Sequence, residues 1–153
     1  MKPAAFKYVR PSSLEEALAQ LADGDAKPLA GGQSLIPAMN FRLARPGRLV
    51  DLNGVATLAG ISATPEGGLR IGAMTRHRAL ETSTLVAERA PLLAQAMPFI
   101  AHPQIRNRGT LGGSLAHADP AAELPAVTLA LEATMEIQRR SAVRRVPAAE
   151  FFT

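Results

Sequence analysis

Two glycine pairs, Gly31-Gly32 and Gly112-Gly113, each followed within two residues by a serine, constrain this 153-residue chain more than any other feature. Glycine reaches positive φ angles and admits close backbone approach, so such a pair can turn a row of N–H groups toward an anion. The hydroxyl of Ser34 or Ser114 would add one more donor. Taken singly, either pair also fits a tight turn or a helix end. Two of them in one short chain point to a ligand with two phosphates. The first sits in the phosphate-cradling order of strand, glycine turn and helix: Lys27 to Ala30, then Gly31-Gly32-Gln33-Ser34, then Leu35 to Phe41 with Pro37 in the first turn.

The remaining pattern predicts an alternating first half. Lys7 to Val9 reads as a strand. Ser12 or Ser13 caps a helix in which Leu14, Ala17, Leu18 and Leu21 form one apolar stripe and Gly24 is the stop. Arg48 to Leu52 is a strand closed by the turn pair Asn53-Gly54. Further on, Gly60 to Ala63 and Leu69 to Gly72 form a hairpin, and Thr75 to Leu80 and Ala90 to Phe99 are helices, with Leu92, Leu93, Ala96 and Met97 facing inward. Residues 101–109 lose periodicity and read as a long loop running into the second glycine pair. A helix is expected from Asp119-Pro120 to about Leu131, and Thr134 to Gln138 pairs with Ala142 to Val146 in a closing hairpin. These expectations divide the chain into an α/β lobe over residues 1–56 and an α+β lobe over 57–153, with the ligand between them.

Composition removes several functions. With no cysteine, the chain offers no disulfide, thiolate zinc site or iron–sulfur ligation of its own. No apolar run is long enough for a membrane span and no signal-peptide pattern opens the chain, so the expected location is the cytoplasm. Among the 17 basic residues only Lys2, Lys7 and Lys27 are lysine, and the net charge of +4 favours anionic partners. Nucleic acid fits poorly, because aromatic residues for base stacking make up only 4% of the chain; the arginines at 139, 140, 144 and 145 read as a solvated hairpin face.

Neither glycine segment is a P-loop or a Gly-x-Gly-x-x-Gly fingerprint, and no nucleophile elbow is present. His77, His102 and His117 have no metal-ligand spacing. His77 is placed on a solvated helix face, whereas His102 and His117 either contact a ligand or are structural. Asp119 and Glu123, four residues apart, are expected on one helix face. Capping accounts for Asp119 and leaves Glu123 to accept hydrogen bonds from ligand hydroxyls.

Ala30-Gly31-Gly32-Gln33-Ser34-Leu35, with Pro37, Asn40-Phe41-Arg42-Leu43 and Asp51-Leu52 downstream, resembles the FAD-binding medium subunit of molybdenum hydroxylases, the xanthine dehydrogenase and aerobic carbon monoxide dehydrogenase family. Ile71 to Thr75, His102 to Ser114 and Ala118 to Pro125 are similar to the same family in the same order. The resemblance implies a two-lobed α+β fold of the PCMH, vanillyl-alcohol oxidase-like type. It implies that the backbone from Leu29 through Ala30, Gly31, Gly32, Gln33 and Ser34 to Leu35 holds the pyrophosphate of a noncovalent FAD. Thr110, Gly112, Gly113 and Ser114 would stand on its other side, Ile100 and Ala101 beside the isoalloxazine ring, and Glu123 where relatives often carry an aspartate that meets the cofactor.

By the same resemblance the chain is an electron outlet, fed by [2Fe-2S] clusters on a small subunit and a molybdenum cofactor on a large one, with no catalytic acid or base of its own. Family members continue past the position of Phe151-Phe152-Thr153 into a further domain. The expectation is therefore a flavin subunit lacking that domain, with a subunit-docking scaffold that binds FAD weakly or not at all as the alternative.

Overall fold

Strand pairing organises the first third of the molecule. In the computed structural model, which describes residues 1–152, β1 (Lys7–Val9), β2 (Ala26–Leu29) and β3 (Arg48–Asp51) form a parallel sheet in the order β1-β3-β2. Val50 of the central strand pairs with Val9 on one side and Pro28 on the other. A strand flanked on both sides tends to be covered on both faces, and Leu49, Val50 and Asp51 are all buried. The first crossover is α1 (Leu14–Leu21). Its Glu16 amide donates to Ser13 Oγ at 3.1 Å while the Glu16 carboxylate accepts from the Ser12 amide at 3.0 Å, a reciprocal cap displaced by one residue from the usual box. The second crossover is α2 (Leu35–Asn40), with Pro37 in its first turn.

The rest is helical, framed by two hairpins. β4 (Ile61–Ala63) pairs antiparallel with β5 (Leu69–Ile71), and β6 (Thr134–Gln138) with β7 (Val143–Pro147). Between them run α3 (His77–Glu81), α4 (Thr84–Arg89), α5 (Pro91–Ala96), α6 (Pro103–Arg108), α7 (Leu111–His117) and α8 (Glu123–Ala130), and α9 (Ala148–Phe151) follows β7. Two apolar cores result. Ala17, Val50 and Val55 centre the first; Leu80, Val86, Leu93, Met97 and Leu124 centre the second, and the two share no residue.

Several elements differ from the sequence reading. Residues 101–109 contain α6, whose buried side chain is Arg106 rather than an apolar one, so no hydrophobic stripe marked it. The helix expected from Asp119 starts at Glu123; Asp119 instead accepts the Ala121 amide at 2.9 Å in a turn, and the two carboxylates share no helix face. α5 ends at Ala96 and continues as a 3-10 turn over Met97–Phe99, where Pro98 lacks an N–H to donate. Leu92, expected inward, is 40% exposed, while Leu93 and Met97 are buried. α4 was not anticipated, although Ser83 caps it by accepting the Val86 amide at 3.2 Å.

His77 is buried, not solvated. Its amide donates to the Gly109 carbonyl at 3.0 Å, and a Cβ on Gly109 would lie 2.8 Å from its Nδ1, so the ring fills the space that glycine leaves. Burial lowers its pKa. The Thr110 backbone opposes that shift without meeting either ring nitrogen in hydrogen-bond geometry, and Arg106 and Arg76 add repulsion. The unfolded imidazole titrates near 6.5 and the folded one lower, so below about pH 6.5 the unfolded state takes up the extra proton and stability falls as pH drops. Asp51 and Glu81, held below the ordinary carboxyl range, lose their contribution only at lower pH. The thermal midpoint is therefore expected to decline between about pH 7 and pH 5.5. His77→Leu should flatten that part of the profile; a slope identical to that of the unaltered protein would refute the assignment.

Candidate functional site

The first glycine turn leaves β2 and enters α2. Gly31 is buried and Gly32 has φ +76°. The Gln33 side chain folds back so that Nε2 donates to the Gly31 carbonyl at 3.0 Å, and Ser34, at the helix start, makes no side-chain cap. Among the described residues, the amides of Gly31, Gly32, Gln33, Ser34 and Leu35 meet no protein acceptor. Five consecutive backbone donors without a partner are a concentration of hydrogen-bonding demand that a folded chain rarely leaves unmet.

The second glycine pair is not a loop. Gly112 and Gly113 form the first turn of α7, and its amides are satisfied within the protein: Leu111 donates to Thr75 O at 3.0 Å, Gly112 to Ala73 O at 2.8 Å and Gly113 to Thr110 Oγ1 at 3.1 Å. These glycines serve close packing. A Cβ on Gly112 would lie 2.6 Å from Ala73 Cβ, and one on Gly113 would lie 2.7 Å from Thr110 Oγ1 and 3.3 Å from Ala30 Cβ. The two segments nonetheless meet. A Cβ on Gly31 would strike the Arg108 carbonyl and lie 2.9 Å from Gly109 Cα.

A cleft of about 540 Å³ opens on the first turn, within the size range of small-ligand sites, and is lined by Tyr8, Gly31, Gly32, Gln33, Asp51 and Arg108 among others. Tyr8 donates to Asp51 Oδ2 at 2.5 Å, and this bond holds the Tyr8 hydroxyl pKa above its ordinary value. Burial pushes the Asp51 carboxyl up, but the hydrogen bonds from Tyr8 and Asn53 outweigh it and keep the carboxyl below the usual range. Asp51 is thus an occupied anion. The Arg108 guanidinium carries no ion pair among the described residues, and with the Asp51 carboxylate it gives the cleft lining one charge of each sign.

The other predicted residues lie in the second part of the chain. Ile100 is buried, Ala101 is exposed with φ +46°, and the buried Arg106 holds both carbonyls from Nη1 at 3.0 and 3.1 Å. Glu123 opens α8, where a carboxylate suits the helix dipole, and its charge reaches His77. His117 is exposed in the last turn of α7, and exposed His102 meets Gln104 Oε1 through Nδ1 at 2.8 Å. Three polar residues escaped the sequence reading: Asn53, taken only as a turn signal, Arg76 and Arg106. The adjacency of Asp51 and Asn53 at a strand end beside a glycine turn could have flagged the first; nothing local marks the arginines as buried or bridging.

Residues 4–153 match the family described as the FAD binding domain in molybdopterin dehydrogenase. The chain is 54% identical to the alpha subunit of the 6-hydroxypseudooxynicotine dehydrogenase complex of Paenarthrobacter nicotinovorans, over 98% of this chain and 51% of the relative. It is 46% identical to the carbon monoxide dehydrogenase medium chain of Hydrogenophaga pseudoflava, over 99% of this chain and 53% of the relative. In structure it is similar to the carbon monoxide dehydrogenase of Hydrogenophaga pseudoflava (TM-score 0.96, 45% identity, 100% of this chain and 54% of that one). The same holds for quinoline 2-oxidoreductase of Pseudomonas putida 86 (TM-score 0.95, 46% identity, 100% and 55%). The chain spans about half the length of the curated relatives it matches.

Proposed function

Because this chain belongs to the family of FAD binding domains in molybdopterin dehydrogenases, we propose that it holds FAD noncovalently as the electron outlet of a molybdenum-containing hydroxylase. The observation that carries this reading is the row of five amides, Gly31 to Leu35, that meet no protein acceptor among the described residues, three of them on residues lining a cleft whose wall also bears Arg108. A pyrophosphate supplies acceptor oxygens and negative charge, the chemistry these donors lack. Bound FAD would supply the redox chemistry, taking electrons from iron–sulfur centres and passing them to an external acceptor.

The protein's own part is to bind and orient. Leu29 and Ala30 lead into the turn, the amides of Gly31, Gly32, Gln33, Ser34 and Leu35 hold the pyrophosphate, and the Ser34 hydroxyl adds a donor. Thr110, Gly112, Gly113 and Ser114 form the opposing wall by shape and hydroxyl groups, since the amides of Leu111, Gly112 and Gly113 already donate within the protein. Ile100 and Ala101 flank the isoalloxazine ring and Glu123 meets ligand hydroxyls. Two separate cores support a division into lobes, taken at 56/57, although Leu58 packs on the first core. The partners are an iron–sulfur small subunit and a molybdenum large subunit, in keeping with relatives named as medium chains. A cytoplasmic location accords with the absence, among the described residues, of any helix long and apolar enough to cross a membrane.

Titration of FAD into the deflavinated natural polypeptide that carries this sequence is expected to quench flavin fluorescence and perturb its absorption bands, with Kd at or below ~10 μM, about −7 kcal/mol. Unquenched fluorescence at high micromolar FAD would reject the reading.

A further inference from the structure

We propose that Asn53 and Arg76 form a latch between the two parts of the molecule that positions the first glycine turn, and that FAD affinity depends on it. This rests on the reading of that turn as the pyrophosphate seat. Asn53 follows β3 and Arg76 is the N-cap of α3, so the two residues come from opposite sides of the contact. Arg76 Nη2 donates to Asn53 Oδ1 at 2.5 Å, and Arg76 Nη1 donates to the Arg108 carbonyl. Asn53 Nδ2 donates to the Ala30 carbonyl at 3.0 Å and to Asp51 Oδ1 at 2.5 Å. The guanidinium and the carboxamide together therefore grip one carbonyl on each side of the place where Gly31 meets Arg108 and Gly109.

Planarity of the peptide unit turns this grip into a statement about the cleft. In a trans peptide the C=O and the following N–H point in opposite directions. With the Ala30 carbonyl held by Asn53, the Gly31 N–H, first of the open amides, is directed away from the latch. The Arg108 carbonyl, held by Arg76, is the group that a Cβ at Gly31 would strike, so the same bond fixes the wall against which the turn rests. Asp51 anchors the latch from behind: it accepts from the Asn53 amide at 2.9 Å and is itself held by Tyr8. The forked donor geometry is specific to arginine; a lysine could keep one of the two bonds but not both.

The test uses the natural polypeptide with Asn53→Ser, Arg76→Met, Arg76→Lys and the Asn53→Ser/Arg76→Met pair, measured by FAD titration and by amide hydrogen exchange of the apoprotein. Each of Asn53→Ser and Arg76→Met is expected to raise the FAD Kd about tenfold and to speed exchange at residues 30–35. The pair should lose little more than the worse single variant, because both act through one latch. Arg76→Lys should recover part of the loss. Should Arg76→Met fail to fold, Asn53→Ser and Arg76→Lys carry the test. Variants that melt earlier yet keep the unaltered Kd and exchange at 30–35 would overturn the latch alone, as would fully additive losses in the pair. An unaltered protein that binds no FAD would overturn the functional reading, and with it the latch's role in affinity.

Discussion

Gly31→Ala is expected to weaken FAD binding about 100-fold, whereas Gly24→Ala leaves it intact. The two glycines differ in what a methyl group would meet. A Cβ at Gly24 would meet no atom of the described residues within 4 Å beyond its chain neighbours, while at Gly31 the new Cβ is driven into the Arg108 carbonyl and to 2.9 Å from Gly109 Cα. Both obstacles are main chain, so no rotamer change relieves them. The Arg108 carbonyl is further held by Arg76. Relief requires the turn to part from residues 108–109, which costs about 1–3 kcal/mol as overpacking and swings the open amides out of register. A loss of about 100-fold in FAD affinity, near 2.7 kcal/mol, is the expected reading from fluorescence titration. The apoprotein should also melt several degrees earlier. A Gly31→Ala protein that binds FAD within threefold of the unaltered one would show that the packing of this turn on residues 108–109 does not set the cleft.

The same residues explain what was legible beforehand. The strand, glycine turn and helix around residues 27–41 could be read because each local signal agrees with the tertiary outcome: a short strand, a glycine at Gly32 where φ turns positive, proline in a first helical turn. The second glycine pair, expected to end a loop, lies in the first turn of α7 for a physical reason. Glycines that let a backbone approach a ligand and glycines that let one backbone approach another are identical in sequence, and at Gly112 the approaching group is Ala73, 39 residues earlier. Backbone donation differs between the two segments: the second donates to Thr75, Ala73 and Thr110, whereas the main-chain amides of Gly31 to Leu35 meet no protein acceptor among the described residues. Polar residues that act across the fold were the least legible. Asn53, Arg76 and Arg106 take their roles from carbonyls brought near only by folding, and His77 is buried because Gly109 packs on it, a contact that no helical periodicity of α3 encodes.

Arg106 is the residue whose removal should cost the most stability. Its guanidinium is buried and fully engaged: Nε and Nη2 meet the two Glu81 oxygens at 3.1 and 3.2 Å, and Nη1 donates to the carbonyls of Pro98, Ile100 and Ala101 at 3.4, 3.0 and 3.1 Å. Arg106→Met keeps the length of the side chain but strands the Glu81 carboxylate and three carbonyls. Breaking a buried pair from one side costs about 3–5 kcal/mol, and Arg78, which reaches Glu81 at 3.0 Å from an exposed position, offsets little of it. Glu81→Gln should be milder, because Arg106 keeps its carbonyl acceptors. Arg106→Lys should fall between, since an ammonium retains the charge without the two-pronged fit. The same bonds also hold Ala101 at φ +46°, a left-handed conformation that costs an alanine about 1–2 kcal/mol and needs surrounding structure to impose it. Without Arg106 that corner should relax toward negative φ and move the Ile100-Ala101 wall. Ala101→Gly, introduced into the Arg106→Met background, should then restore little stability, whereas in the unaltered protein it should be neutral or stabilising. Urea denaturation of the six proteins gives all of these quantities. A loss below about 1 kcal/mol for Arg106→Met would mean that water replaces the guanidinium at Glu81 and at the carbonyls, and that the corner keeps its shape without it.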